Sequence, residues 1–395
     1  MSFPKIGVVG GGQLARMMAP PAIELGIELH VLAEAEGVSA TTAACRSTVG
    51  DYHDLDTLRR FAGSVDVLTF DHEHVPSEHL RTLQAEGVAL HPGPDALLHA
   101  QDKLAMRRKM TALGLPQPAY RAVSNVEELI SAAQSIGYPV ILKTPRGGYD
   151  GKGVRLIRRA EDAHESANWF DLPFDALLVE DCVEFTRELS AQVARRPSGE
   201  TAPYPVVESI QTNEVCDLVT APAPNLDQTI ASAAQQAAVT IAEQLGVTGM
   251  LAVEMFEDPH SESGFSINEL AMRPHNSGHW SMDGATTSQF EQHLRAILDL
   301  PLGSTTPVAE FTVMKNYLGG ANEDLYGAFN TAMTRYPQAK IHAYGKSVRP
   351  GRKVGHVNVL TNPQRSLDDA RRIAERTAAI IRDGSEPATD ELPDR

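Results

Sequence analysis

The 395-residue chain is short of cysteine, of positive charge and of long apolar runs, and each shortage closes off a class of function. Its three cysteines, Cys45, Cys182 and Cys216, are scattered without metal-ligand spacing, so reduced thiols are expected and no disulfide framework. Thirty-five Lys and Arg against 51 Asp and Glu leave a formal net charge of −16, which argues against a nucleic-acid or anionic-membrane surface. An acidic protein binds anionic small molecules only through local cationic pockets. No apolar run reaches membrane-spanning length, and the N-terminus carries neither a basic leader nor a signal-like apolar core, so a cytoplasmic location is expected. There are no internal repeats. A content of 42% hydrophobic and 22% charged residues is globular, and the length implies two or three domains.

What is there begins with the stretch from Ile141 to Val154. An apolar run ends at Lys143, a loop rich in glycine follows (Gly147, Gly148, Tyr149, Asp150, Gly151, Lys152, Gly153), and a second apolar run starts at Val154. The pattern predicts a hairpin whose tip lets backbone amides approach phosphate oxygens, with Lys143 and Lys152 facing the same place. It is not a Walker loop, because no Gly-Lys-Ser/Thr opens a helix behind it. Lids of this kind close on ATP in ATP-grasp enzymes and in protein kinases. A solvated hairpin tip is the plainer alternative, since Gly-Gly and Asp-Gly are ordinary turn dipeptides.

The chain opens as a Rossmann-like unit. Lys5 to Val9 reads as a buried strand, and Gly10, Gly12 and Ala15 fill the G-x-G-x-x-G/A pattern ahead of a helix from Gln13. A second strand, Glu28 to Leu32, ends near Glu34, where a ribose-binding acid would sit, which makes a nicotinamide oxidoreductase a serious competitor. Strands are also expected at Val65 to Thr69 and Val88 to His91, with a helix between them capped by Ser77. Phe70 to His74 falls at the carboxyl end of the third strand, where open α/β sheets bind ligands.

Beyond it, Asp102 caps a helix over Lys103 to Leu113, Ser124 or Asn125 caps one over Val126 to Ile136, and Ala160 to Trp169 is a short helix. Leu177 to Val183 is an apolar strand ending in acids, of the kind that serves as a hinge against an adenine. Glu184 to Ala194 and Val206 to Ile210 read as antiparallel neighbours, and Asn225 to Leu245 as a long helix. Gly249 to Phe256 and Phe265 to Leu270 are strands that each carry one acid, Glu254 and Glu269. Side by side these would repel, so Mg²⁺ with ATP phosphates is the natural partner; the alternative pairs each with a basic residue, Arg273 being nearest. Met272 to Trp280 is dense in hydrogen-bond donors, and its Arg273 and His275 suit a bicarbonate or a transferred phosphoryl group. Near the end, Lys346, Arg349, Arg352 and Lys353 place four cations in eight residues, suited to a phosphate monoester or to a solvated basic turn. Asp368 to Ile381 is an amphipathic helix.

In order along the chain, GGGQLARM (Gly10 to Met17), GGYDGKG (Gly147 to Gly153), Ile267 to Leu270, His275 to Trp280, Ser288 to Glu291 and RPGRKVGHVN (Arg349 to Asn358) resemble the N5-carboxyaminoimidazole ribonucleotide synthetase family of ATP-grasp enzymes. The resemblance implies an α/β and α+β multidomain protein. A Rossmann-like domain would span 1–98, an ATP-grasp domain 99–300 with its lid at about 115–178, and a small mixed C-terminal domain 301–382, with a disordered tail at 383–395. It implies phosphorylation of bicarbonate by ATP to carboxyphosphate, and carboxylation of 5-aminoimidazole ribonucleotide in purine biosynthesis, by a homodimer. By the same resemblance Lys103, Lys143 and Gly147 to Gly153 attend the ATP phosphates. Glu180, Asp181, Cys182 and Val183 hold adenine, Glu188 the ribose, and Glu254 and Glu269 bind Mg²⁺ with Asn268 alongside. Gln13, Leu14, Glu73, Tyr149, Asp150, Lys152 and Asn276 face the aminoimidazole nucleotide. Lys346, Arg349, Arg352 and Lys353 meet its 5′-phosphate, Arg273 and His275 lie on the carboxyphosphate side, and Asp150 and Lys353 manage the amine's protons.

The chain departs from that family at three places. Phe70-Asp71-His72-Glu73-His74 stands where Tyr-Glu-Phe-Glu-Asn is usual, Gln211 where a histidine is expected, and Ala271 where many ATP-grasp enzymes carry a metal-binding Asn. A formate-using transformylase or biotin carboxylase would differ in the acceptor pocket, and the basic cluster favours a phosphorylated acceptor. A nicotinamide oxidoreductase or a nucleotide-binding sensor would leave Glu254, Glu269 and the lid unexplained.

Overall fold

The computed structural model describes residues 3–147 and 153–386. Its first unit runs β1 (Lys5–Val9), α1 (Gln13–Glu24), β2 (Glu28–Ala33), β3 (Arg46–Val49), α2 (Leu55–Ala62), β4 (Val67–Phe70), α3 (Ser77–Ala85) and α4 (Pro94–Gln101). The four strands are parallel in the order β3-β2-β1-β4. The order reverses between β1 and β4, so the turn after β1 and the segment after β4 share the crevice where such sheets bind ligands. Two expectations are corrected here. The strand expected at Val88 to His91 reduces to one parallel bridge, Leu68 to Leu90, because Gly87 turns the chain and Pro92 has no N–H to extend a ladder. Ser77 is the first helical residue rather than the cap; its hydroxyl donates to Gln101 Oε1 at 2.5 Å. The unforeseen β3 lies on the sheet's edge and is largely exposed, so it carries no apolar alternation to betray it.

Next comes α5 (Lys103–Ala112), capped by Asp102, whose carboxylate accepts from the Ala105 N–H. The lid follows: β5 (Tyr120–Val123), α6 (Val126–Ile136), β6 (Val140–Lys143), β7 (Val154–Ile157), α7 (Ala160–Glu165) and β8 (Leu177–Asp181), an antiparallel sheet ordered β5-β8-β6-β7. Asn125, not Ser124, caps α6, and Gly137 at φ 113° stops it. The helix expected over Ala160 to Trp169 divides at Ser166 into α7 and a 3₁₀ turn. The hairpin from β6 to β7 forms as the sequence predicts, closed by Thr144 N–H to Gly153 O at 3.0 Å.

The rest is built on one large antiparallel sheet. Its elements are β9 (Arg187–Arg195), β10 (Thr201–Pro203), β11 (Val207–Thr212), β12 (Val215–Ala221), α8 (Gln228–Gln244), β13 (Gly249–Glu257), β14 (Phe265–Ala271), α9 (Ser281–Gly284), α10 (Gln289–Ile297), β15 (Thr312–Leu318), α11 (Leu325–Arg335), β16 (Lys340–Ala343), β17 (Lys353–Leu360) and α12 (Leu367–Asp383). The order β14-β13-β9-β11-β12-β15-β17-β16 carries the ladder straight across the expected domain boundary at 301, through β12 paired with β15. The expected second and third units thus share a backbone ladder, which fixes Lys353 relative to Glu254. Of the tail expected from Asp383, the first residues are described: α12 reaches Asp383, Gly384 caps it at φ 77°, and Glu386 accepts from Tyr336 Oη at 2.7 Å. Residues 387–395 lie outside the described residues. No described helix is long and apolar enough to cross a membrane.

What seats the first unit on the large sheet is α10. Phe290, Leu294 and Ile297 are fully buried and pack with Leu14, Ala15, Met18 and Ala22 of α1, each large side chain contributing about 1.5–3 kcal/mol by burial. Beside them His293 Nδ1 accepts from the Met250 N–H at 3.0 Å, so its Nε2–H donates to Thr69 Oγ1 at 2.9 Å. One imidazole therefore ties α10 to β13 and to β4. Burial, with His91 adding to it, pushes its pKa down to about 3.

The unfolded chain takes up a proton at His293 near pH 6.5 while the native protein refuses it until about pH 3. This group's share of stability is therefore present above pH 6.5 and is lost as pH falls through that window. His293→Ala should lower stability at pH 7 by about 2 kcal/mol or more, from a cavity and two orphaned partners. It should also flatten the decline between pH 6.5 and 4, as read by urea denaturation at a series of pH values.

Candidate active site

A cleft of about 1110 Å³ opens where the three units meet. Its first wall is the switch point of the parallel sheet. The α1 N-terminus, where a dinucleotide's pyrophosphate would rest, is filled by Asp71: Oδ1 accepts from the Ala15 N–H at 3.2 Å, and a Cβ at Gly12 would fall 2.0 Å from Oδ2. Glu34 Oε2, the candidate ribose acid, instead accepts from the Gly11 N–H at 3.3 Å. Both anion positions of the glycine turn are thus held by the protein's own carboxylates, which removes the ground for the nicotinamide alternative. Burial pushes the Asp71 pKa up, although Arg273 and the helix amides pull against it.

Gln13, Leu14, Glu73 and His72 face the cleft from the same wall. His72 Nδ1 accepts from the His74 N–H at 3.1 Å, its ring lies 4.6 Å from that of Tyr52, and burial pushes its pKa down to about 4, so it is neutral at pH 7. Gly10 makes room for it, since a Cβ there would lie 2.8 Å from the imidazole. Lys346 donates to Gln13 Oε1 from behind. Lys353, at the start of β17, reaches the cleft. Arg349 and Arg352 do not: Arg349 is exposed on the loop between β16 and β17, and Arg352 donates to Ser347 Oγ at 2.8 Å. Of the four expected cations, Lys353 lines the cleft and Lys346 reaches Gln13 on its wall, while the two arginines sit on the loop between β16 and β17.

The second wall is the β9-β13-β14 face. Glu254 and Glu269 are direct cross-strand partners, and Glu188 is diagonal to Glu254 on β9. The pairing register shifts here, with Glu254 opposite Glu269 and Met255 opposite Ile267, so Asn268 is the extra residue of a β-bulge. Successive side chains of a regular strand point to opposite faces; the bulge brings Asn268 and Glu269 to the cleft together. Glu254 Oε1 lies 2.9 Å from His275 Nε2, and Glu269 Oε1 lies 2.8 Å from Lys103 Nζ. Arg273, which the alternative reading would pair with these acids, instead meets Glu73 across the cleft, Nε to Oε1 at 2.8 Å. Burial would raise the Glu254 pKa, but His275, Lys103 and Lys353 outweigh it and hold it below the usual value. For Glu188, burial with Glu254 nearby lifts the pKa to about 7, against a hydrogen bond from Gln211.

His275 is placed by a buried glutamine. Gln289 Oε1 accepts from the His275 N–H at 2.9 Å, and its Nε2 donates to His275 O and to His279 Nδ1. Gly278 admits this side chain, since a Cβ there would fall 2.3 Å from Gln289 Oε1. Asn276 lines the cleft beside it.

The third wall is the lid's edge, with Pro145, Arg146, Gly147 and Val154. Gly148, Tyr149, Asp150, Gly151 and Lys152 lie outside the described residues. Lys143 does not line the open cleft; it pairs with Glu180 and donates to Asn268 Oδ1 at 3.4 Å. Glu180 is 3% exposed, so an adenine at the hinge would meet the backbone of Glu180 to Val183 rather than that carboxylate. Sequence reasoning missed Asp71 and also Arg107, which ion-pairs with Glu180 at 2.8 Å. The available signal for Asp71 was its period-two spacing from Glu73 after a strand, whereas Arg107 carried no local signal of its own.

The donor set fits a hard divalent cation: two facing carboxylates and an amide oxygen, with no group of three His, Cys, Asp or Glu among the described residues to complete a shell alone. The remaining ligands would come from a substrate such as a phosphate chain, which is how Mg²⁺ is usually held.

Comparisons with known proteins agree with this layout. The ribonucleotide synthetase preATP-grasp domain matches residues 3–101, the ATP-grasp domain 108–290, and the phosphoribosylaminoimidazole carboxylase C-terminal domain 312–370. The chain is 49% identical to the N5-carboxyaminoimidazole ribonucleotide synthase of Mycobacterium tuberculosis (strain ATCC 25618 / H37Rv), covering 90% of this chain and 83% of that one. It is similar to the N5-carboxyaminoimidazole ribonucleotide synthetase structure from Thermus thermophilus, with TM-score 0.84, 35% identity and coverage of 99% and 100%. It is also similar to the Aspergillus clavatus N5-carboxyaminoimidazole synthase in complex with ADP and 5-aminoimidazole ribonucleotide, with TM-score 0.84, 30% identity and coverage of 96% and 99%.

Glu188 yields a pH test of the ligand-free protein. Its native pKa of about 7 exceeds the model-compound 4.5, so the native state binds more protons between those values. Its contribution is present below pH 4.5 and lost as pH rises toward 7. Glu188→Gln should remove that decline and be the more stable form at pH 8, measured by chemical denaturation without nucleotide. A variant with an unchanged pH slope would refute the shifted carboxyl.

Proposed function

The chain belongs to the N5-carboxyaminoimidazole ribonucleotide synthase family, and from that premise we propose how its own residues divide the family's reaction. The protein is an ATP-dependent carbon–nitrogen ligase of purine biosynthesis. Bicarbonate takes the γ-phosphoryl group of ATP to give carboxyphosphate and ADP. The exocyclic amine of 5-aminoimidazole ribonucleotide then bonds to the carboxyl carbon, loses a proton and displaces phosphate.

Glu254 and Glu269 would hold Mg²⁺ with Asn268 beside them, and the ion when bound supplies positive charge against the phosphate oxygens. Lys103 and Lys143 attend the phosphates, the backbone of Glu180 to Val183 meets adenine, and Glu188 and Gln211 face the ribose. Arg273 and His275 orient the carboxyphosphate. Gln13, Leu14, Glu73 and Asn276 face the aminoimidazole nucleotide, with Lys353 and Lys346 nearest its phosphate. The lid's role would be to shield the reactive anhydride from water, and by the family resemblance Tyr149, Asp150 and Lys152 would face the aminoimidazole nucleotide. Asp150 and Lys353 manage the proton released by the amine. One observation carries this reading: the Glu73–Arg273 contact of 2.8 Å spans the acceptor wall and the carboxylate wall, so both halves of the reaction share one cleft. The working form is a cytoplasmic homodimer, which sedimentation at twice the chain mass would verify.

The test is ADP release from Mg²⁺–ATP and bicarbonate, with and without 5-aminoimidazole ribonucleotide. Turnover should require the nucleotide, cease with EDTA, return with excess Mg²⁺, and fall by about 100-fold or more in Glu269→Gln. Turnover indifferent to the nucleotide would refute the acceptor while leaving the ATP site standing. Glu73→Gln should raise the KM of the nucleotide and leave that of ATP near wild type.

A further inference from the structure

Arg107 is 1% exposed on α5 and has two partners on two different sheets. Its Nε donates to Glu180 Oε2 at 2.9 Å, and its Nη2 lies 2.8 Å from the same oxygen, on the hinge strand β8 of the lid. Its Nη1 donates to the Ile267 carbonyl at 2.6 Å, on β14. Ile267 immediately precedes the bulge that turns Asn268 and Glu269 into the cleft, and β14 is the edge of its sheet. An edge strand has unpaired backbone groups facing outward. Here they are taken by Arg107 and by Pro116, whose carbonyl accepts from the Ile267 N–H at 2.9 Å. The helix is tied to the lid at its other end as well, through Lys103 N–H to Pro145 O at 2.9 Å and Asp102 to Arg146 at 2.8 Å.

Charge balance gives the arrangement a second consequence. Glu180 is one buried carboxylate shared by two cations, Arg107 and Lys143. With Arg107 in place, Lys143 is not needed to neutralise Glu180 and can serve an incoming phosphate. Without it, Glu180 would hold Lys143 as its sole counterion.

We propose that Arg107 is a positioning residue for nucleotide binding: it fixes the β14 bulge against the hinge strand and keeps Lys143 available to ATP phosphates. It need not touch substrate. The inference rests on the proposal that Mg²⁺–ATP lies between hinge and bulge. A lysine cannot replace it, because a point charge cannot span a carboxylate and a carbonyl on separate strands as the planar guanidinium fork does.

The experiment compares Arg107→Met and Arg107→Lys with the wild type in the full enzyme. In both, the KM for ATP should rise about tenfold or more and kcat should fall, while the KM for 5-aminoimidazole ribonucleotide stays within about twofold. That split separates positioning from a general loss of folded enzyme, which would lower kcat with both KM values unchanged and would overturn the proposal. If Arg107→Met does not fold, Arg107→Lys carries the test, and a folded Arg107→Lys with wild-type KM for ATP overturns it. Wild-type enzyme that does not saturate with Mg²⁺–ATP would instead refute the assignment of the cleft.

Discussion

Two carboxylates face each other across a strand pair in a protein whose net charge is already −16, and much of the architecture follows from keeping them there. At short range in a partly buried site their repulsion is too large to leave unanswered. Lys103 comes from the helix leading into the lid, His275 from a loop pinned by buried Gln289, and Lys353 from the last strand of the large sheet. Each lies far from the others in sequence, so these contacts form only when all three parts of the chain are assembled. Glu188 shows the alternative: on the same face, burial with Glu254 nearby lifts its carboxyl to about 7.

The same logic explains how an acidic protein presents a cleft for anions. Its cations are held in place by acids on the opposite side of each from the cleft, or across it. Lys143 and Arg107 share Glu180, Arg273 is turned toward Glu73, and Lys346 is held by Gln13 near Asp71. Such pairs preorganise the cations at the cost of neutralising them, and a polyanionic substrate with a divalent ion can compete for them because it supplies more charge than a single carboxylate. Anchored groups of this kind need little reorganisation when a substrate arrives. The glycine turn after β1 illustrates the converse. Its amides are satisfied by Asp71 and Glu34, so it acts as a brace for the crevice rather than as a phosphate cradle.

What could be read in the sequence was whatever depends on local periodicity and local turn chemistry. The β6–β7 hairpin, the facing strands with Glu254 and Glu269, and the helix after Asp102 all carry that signal, and all are present. What could not be read depends on partners distant in sequence. Nothing local distinguishes Arg107 from its neighbours Arg108 and Lys109; only the fold shows that it alone is buried against Glu180. The pairing of Arg273 with Glu73 joins segments 200 residues apart, and proximity in sequence favoured the wrong acids. The continuity of the large sheet was hidden for a similar reason, because the loop before β15 looks like a domain linker while β12 and β15 pair across it. The short edge strand β3, with little buried surface, left no pattern at all.

Ala271 shows how far a side chain's identity can mislead when its direction is unknown. In a regular strand, residues two apart share a face, so an Asn two positions beyond Glu269 would join it at the metal, and Ala271 leaves that place without an oxygen donor. The bulge supplies another route. By inserting Asn268 opposite the same partner as Glu269, it breaks the period-two rule at one point and brings two consecutive donors to one face. Such a bulge needs its outward backbone groups satisfied, and on an edge strand no further strand is there to do so. The Ile267 carbonyl and N–H are met by Arg107 and Pro116 instead. The backbone irregularity thus brings an amide oxygen beside Glu269 where position 271 offers none, and that irregularity is in turn held by a buried guanidinium on another element. The geometry of this face of the cleft is a property of β14, α5 and the hinge strand taken together, and sequence position alone assigns it to none of them.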